Sequence, residues 1–209
     1  MSVSSSLPVG SEPAGRTAAE RSREQTRERL LAGARALFAE LGLHHVTTHD
    51  IAGRAGVAAG TFYLHFSNKR EIFREIAGET IAALRERLDE ATRGHVGVEE
   101  AVRAHAEALI SFAEENRDLG RILFSGDTDA AAVESDVLNE LAATIAGNRR
   151  RRMISGEMPG LLDPDVLSQA IVGMLARVVA WWLENPDRVP RERVIETLTR
   201  IQLSGTHPV

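Results

Sequence analysis

A hydrophobic period of about 3.6 residues runs along this chain, and no stretch of useful length alternates at the period of two that a half-buried strand requires. Leu30, Leu31, Ala34, Leu37, Phe38 and Leu41 fall on one stripe with Gly42 behind them as a stop, so the first helix is predicted over Ser22 to Leu41. Thr47-x-x-Asp50 forms a capping-box variant ahead of Ile51 and Ala52, and Gly56 closes that short second helix after Ala55. A third short helix is predicted over Ala58 to His65, with Phe62 and Phe66 on its apolar face and Ala58, Thr61 and His65 on another. Ser67 or Asn68 caps a fourth helix that carries Ile72, Phe73, Ile76, Ile81, Leu84 and Leu88. Beyond Gly94 and Gly97 the period predicts helices over Glu99 to Glu115, a short piece over Leu119 to Phe124, then Ala130 to Met153, Asp165 to Leu183 and Arg191 to Leu203. The fold class is therefore all-α, with about nine helices by this periodicity.

Two short helices joined by a glycine turn have the shape of a helix-turn-helix, in which the first helix braces the second against a DNA major groove. The residue types suit those jobs. Val57, Phe62 and Phe66 are placed to pack the second helix onto Leu37, Phe38, Ile51 and Ala52. Ala58, Ala59, Gly60 and Thr61 sit at its exposed start, where small side chains allow close approach and a methyl meets a thymine methyl. Tyr63, His65 and Lys69 bring donors beside that face, and Thr47, Thr48 and the start of the fourth helix bring hydroxyls and amides suited to phosphate. His44, His45 and His49 beside Asp50 have metal-ligand chemistry but flank this helix start, so neither a metal nor a cofactor is expected.

Composition narrows the class. The 209 residues are 43% hydrophobic and 26% charged, as in ordinary globular proteins, with room for one large domain or two small ones. There is no cysteine, which excludes disulfide scaffolds, thiolate metal sites and a cysteine nucleophile, and a cytoplasmic location is the default. Residues 1–20 read as a disordered Ser, Pro and Gly-rich leader rather than a signal peptide. The most apolar stretch, Ile171 to Leu183, is interrupted by Arg177 and falls short of the roughly 20 residues that span a bilayer, so no membrane partner is expected. The net charge of −5 argues against nucleic acid until it is divided. Arg16 to Arg74 balances at +4 and the remainder at −9, and counterion release needs local cations rather than a basic total. Lys69 is the only lysine. No phosphate loop, Gly-x-Ser-x-Gly elbow or His-Glu-x-x-His helix is present, and no nucleophile adjoins a base, so no enzyme is expected.

The run Thr47-Thr48-His49-Asp50-Ile51-Ala52-Gly53-Arg54-Ala55-Gly56-Val57-Ala58-Ala59-Gly60-Thr61-Phe62-Tyr63-Leu64-His65-Phe66-Ser67-Asn68-Lys69 resembles the signature of the TetR family of bacterial transcriptional regulators. The resemblance extends over Glu24 to Leu84, and the helix order beyond resembles the family's ligand-binding body. It implies a DNA-binding domain over 24–84, with the helix-turn-helix at 47–66, and an effector-binding and dimerisation domain over 85–209. It further implies that Thr47, Thr48, Tyr63, His65 and Lys69 hold the DNA backbone, while Ala58, Ala59, Gly60 and Thr61 face bases. Ala58 and Ala59 offer no hydrogen bond, so specificity falls to Thr61, the Gly60 backbone, Tyr63 or DNA shape.

The body is read as a dimer with a cavity. The helix around Leu167, Ile171, Met174, Val178, Trp181 and Trp182 is apolar nearly all round, and Val194, Leu198 and Ile201 give the last helix a second stripe. Two such helices from each of two subunits close a four-helix bundle, so a homodimer is expected on a double-stranded palindromic operator with half-sites about 34 Å or a multiple apart. Effector-lining candidates are Leu84, Leu88, Val102, His105, Leu109, Phe112, Phe124, Leu141, Ile145 and Met174. They favour a small apolar or amphipathic effector. Arg149 to Arg152 most simply meets a helix dipole and solvent, with an anion-binding role as the rarer reading. The expected function is a repressor released from its operator by that effector. The alternatives are a helix-turn-helix regulator without an effector and a helical binding protein of another class.

Overall fold

The computed structural model describes residues 17–94, 97–118, 120, 128–154, 156 and 162–206. Eight helices are assigned among them: α1 (Ala18–Leu41), α2 (Thr48–Arg54), α3 (Ala59–Phe62), α4 (Lys69–Thr92), α5 (Val98–Glu115), α6 (Thr128–Ile154), α7 (Pro164–Glu184) and α8 (Arg191–Thr206). The predicted piece over Leu119 to Phe124, apart from Gly120, and most of the predicted leader lie outside the described residues.

The helix starts follow their caps. Thr17 accepts from Glu20 N while the Glu20 carboxylate accepts from Thr17 N, so α1 begins four residues before the predicted Ser22. The Thr17-x-x-Glu20 signal is present in the sequence, but no apolar stripe follows it and periodicity alone does not register it. Asn68, not Ser67, caps α4 by accepting from Glu71 N at 3.0 Å, and Ser67 donates instead to the Glu71 carboxylate. Asp163 caps α7, whose first residue is Pro164, a position where the missing N–H costs nothing. The third helix is shorter than predicted. It ends at Phe62, and the chain continues through a turn in which the Leu64 and His65 amides donate to Thr61 O and Phe62 O.

Two buried cores organise the molecule. The first joins Leu30, Ala34, Phe38, Ile51, Phe62, Phe66, Ile72 and Phe73, with the Phe38 and Phe73 rings edge to face at 5.6 Å. Val133 and Val137 of α6 belong to the same core, so the division expected between 84 and 85 is bridged by side chains from far down the chain. The stripe leucine Leu41 is 51% exposed because α1 has run past the elements that would cover it. The second core joins Ala106 and Ile110 of α5, Leu175, Val179, Trp182 and Leu183 of α7, and Val194, Ile195 and Leu198 of α8. The Trp182 indole donates to Val189 O at 3.0 Å. Arg191 ties α8 to α5 through Glu114 and Ser111.

Three residues expected at a subunit interface are thereby reassigned. Trp182, Val194 and Leu198 are 3%, 4% and 1% exposed within the single chain, since α8 lies across α5 and buries its own stripe there. Leu167, Ile171, Met174, Val178 and Trp181 are half-buried, and Ile201 is 47% exposed. Helix α7 is also long and apolar enough to cross a membrane, with a mean hydropathy of 1.6, although Arg177 lies within it. Only 39% of that stretch is buried, which leaves apolar surface on α7.

Candidate nucleic-acid interface and ligand cavity

The helix-turn-helix is set by one backbone position and two inward rings. Gly56 has φ +67°, a conformation that L side chains resist, and an added Cβ would meet Arg29 Nη2 at 2.8 Å. That guanidinium donates to Gly56 O at 3.2 Å and ties the turn to α1. Phe62 and Phe66 are buried with centroids 5.8 Å apart, and Arg27 of α1 lies over the Phe66 ring at 5.2 Å. With both rings held inward, the opposite side of the segment faces out. Ala58 and Gly60 are exposed, Ala59 and Thr61 half-buried, and Tyr63 and Leu64 are 60% and 70% exposed.

The polar groups collect on this side. Tyr63 Oη and Thr48 Oγ1 lie 3.0 Å apart, joining the turn after α3 to the start of α2 at the surface. Thr47 caps α2 reciprocally with Asp50, and its hydroxyl is therefore already engaged. His65 is half-buried. Desolvation, reinforced by Arg23 and Arg27 and opposed by Glu24, holds its pKa below 6.5, so at neutral pH it offers a neutral N–H to an anion. Lys69, expected to hold the DNA backbone, also braces the frame behind it. Its ammonium reaches back to Leu43 O at 2.9 Å and His44 O at 3.1 Å, bracing the loop between α1 and α2. Leu64 is an outward residue that the sequence reasoning does not include; its signal is its place between two inward phenylalanines on a helical turn.

The second feature is a cavity of about 660 Å³ between α4, α5, α6 and α7. Leu84 and Leu88 of α4, Val102, His105, Leu109 and Phe112 of α5, and Leu141 and Ile145 of α6 line it. One expected member does not, and a second is not among the described residues. Met174 packs into the second core instead, one step round α7 from the lining Leu175, and Phe124 lies outside the described residues. Ile171, expected at the interface, is a wall residue, as are Val172, Val179 and Leu183. Helix α7 thus serves the cavity as well as the surface that a partner would cover. Arg149, expected with Arg150 to Arg152 to meet a helix dipole and solvent, is instead a wall residue: Leu138, Leu141, Ile145 and Arg149 form one helical stripe, a signal hidden by the three further arginines behind it.

Helix α4 reaches both features. Lys69 stands at its start beside the helix-turn-helix, and Thr80, Ile81, Leu84, Leu88 and Thr92 form a wall of the cavity at its other end. An outward-facing helix-turn-helix coupled by one rigid rod to a ligand-sized chamber defines a DNA-binding regulator.

Comparison with known proteins places it further. The sequence profile described as "Bacterial regulatory proteins, tetR family" matches residues 30–76. The HTH-type transcriptional activator FasR of Mycolicibacterium smegmatis is 31% identical over 199 residues, covering 88% of this chain and 84% of that protein. The fatty acid metabolism regulator protein of Bacillus subtilis is 24% identical over 82% of this chain and 90% of its own length. The crystal structure of the transcriptional regulator FadR from Bacillus subtilis in complex with stearoyl-CoA superposes with a TM-score of 0.67 at 23% identity, over 86% of this chain and 99% of that one. The chain belongs to the TetR family and is a DNA-binding transcriptional regulator.

Proposed function

We propose that the chain works as a two-fold dimer on a palindromic operator, as a repressor released when an amphipathic molecule fills the cavity. The observation that carries the reading is the shared use of α4. Its first half, through Ile72, Phe73, Ile76 and Ala77, is locked into the core of the helix-turn-helix, and its second half walls the cavity. A ligand that favours one placement of that second half shifts the recognition segments relative to each other, and DNA binding weakens only if that spacing suits the operator less well. An aliphatic chamber of this volume fits a long hydrocarbon chain, and a relative of the same fold is seen with stearoyl-CoA.

In the unit over 24–84, Ala58, Ala59, Gly60 and Thr61 approach base edges, joined by Leu64. Thr48, Tyr63 and the neutral His65 take phosphates, and Thr47 and Lys69 hold the frame that presents them. The body over 85–209 pairs two copies through Leu167, Met174, Val178, Trp181 and Ile201, which cover the apolar surface left on α7. A cytoplasmic location follows from work on genomic DNA.

The test is fluorescence anisotropy on an operator obtained by selection from genomic DNA, with and without stearoyl-CoA. Weaker DNA binding with the acyl compound supports the reading. Tighter binding overturns release by the ligand, and unchanged binding with this and other long-chain amphiphiles leaves a regulator without such an effector.

A further inference from the structure

Charge along the cavity wall says more about its occupant than volume alone. Among the described lining residues none is acidic, and the two that can carry charge, His105 and Arg149, are both bases. The other hydrogen-bonding side chains are turned to their own helices: Thr80 donates to Ile76 O, Thr92 to Leu88 O, Asn116 to Phe112 O and Gln202 to Leu198 O. His105 interrupts an otherwise aliphatic stripe of α5 between Val102 and Leu109, and Arg149 ends the Leu141, Ile145 stripe of α6. Each base therefore stands where the wall pattern calls for a hydrocarbon, and such a substitution in an apolar chamber is a recognition group.

We infer that His105 and Arg149 form an anion-binding pole of the cavity, and that the molecule it takes is a long-chain monocarboxylate, its carboxylate at this pole and its hydrocarbon chain along the aliphatic walls. The inference rests on the effector reading above and assigns the head group within it. Size sets the length of the hydrocarbon tail. At roughly 30 Å³ per non-hydrogen atom, the share of a water molecule in the liquid, a cavity of about 660 Å³ takes about 20 such atoms. A carboxylate on a chain of about sixteen to eighteen carbons has that size by the same measure; the cavity opens to the surface, so the thioester is included in the titration below. The charged groups that act on His105 are Asp89 on α4 and Arg149 on α6; desolvation outweighs both and holds its pKa below 6.5. A carboxylate beside the ring favours its protonated form, so binding takes up a proton and tightens as the pH falls from neutral.

Calorimetric titration of the full chain with hexadecanoate, hexadecan-1-ol and hexadecanoyl-CoA tests this. The acid is expected to bind about tenfold more tightly than the alcohol, the ratio that a charge-assisted hydrogen bond at the head of an identical tail supplies. Arg149→Gln and His105→Gln are each expected to remove most of that ratio while the alcohol binds as before, which also certifies that the variant cavity is folded. Proton uptake, read from titrations in two buffers of different ionisation enthalpy, is expected to vanish in His105→Gln. Equal affinity for acid and alcohol overturns the pole, as does tighter binding of the thioester that both variants leave unchanged; either result leaves the effector reading standing. Failure of all three compounds to bind removes the pole together with the reading on which it rests.

Discussion

Gly56 shows how one residue carries a surface. Its positive φ lets α2 turn into α3 within a few residues, and its carbonyl is held by Arg29 of α1. Gly56→Ala is expected to cost about 1–2 kcal/mol for the left-handed backbone alone, with more as Arg29 is pushed away. Urea unfolding measures the loss, and operator affinity should fall with it because the turn sets the angle of α3. Two histidines make stability depend on pH. His65 and His105 both have pKa values lowered from 6.5 by burial, so in the window from those values up to about 6.5 the unfolded chain binds more protons than the folded one. Stability therefore rises with pH through that window and is lost as the pH falls through it. Carboxylates with lowered values, such as Asp50 and Glu71, act further down, below their ordinary 3.8 and 4.5. Urea midpoints at pH 7.5 and 5.5 are expected to differ, and by less in the His65→Gln/His105→Gln variant. Ser168 is buried on α7 with its hydroxyl unpaired among the described residues, so Ser168→Ala is expected to leave stability unchanged or to raise it slightly.

At the scale of elements, the helix boundaries follow capping chemistry more closely than hydrophobic periodicity. The Thr47 and Asp50 box starts α2, and Thr47→Ala is expected to lower stability by about 1 kcal/mol. Because α2 braces α3, the same change should weaken operator binding by more than the loss of one phosphate contact; amide exchange in α2 distinguishes a frayed helix from a missing contact. The α1 cap at Thr17 is equally legible, yet periodicity misses it because α1's first turns are exposed on every side and carry no stripe. The short α3 is overextended by the same method for a related reason. A single turn has too few residues for a period of 3.6 to separate helix from turn, so the outward side of Tyr63 and Leu64 comes from the two buried phenylalanines.

Across the whole molecule, pairing is a matter of what one chain leaves uncovered. Ile201 is 47% exposed in the single chain, so Ile201→Glu is expected to leave the unfolding of a monomer little changed while shifting the sedimentation equilibrium from dimer to monomer and weakening operator binding. A dimer that persists in this variant would place the contact elsewhere on α7. The amino-acid sequence alone determined the helical class, the turn glycine, the caps, the inward phenylalanines and the run that marks the family, because each is a local matter of backbone preference and spacing. Eight of its ten candidate lining residues stand on the cavity wall, since those side chains lie on regular apolar stripes. Tertiary structure decided which stripe meets which. Periodicity states that a face is apolar and is silent on its cover, so Trp182, Val194 and Leu198 turned into their own core, Ile171 turned to the cavity, and Arg149 came to a chamber rather than to water.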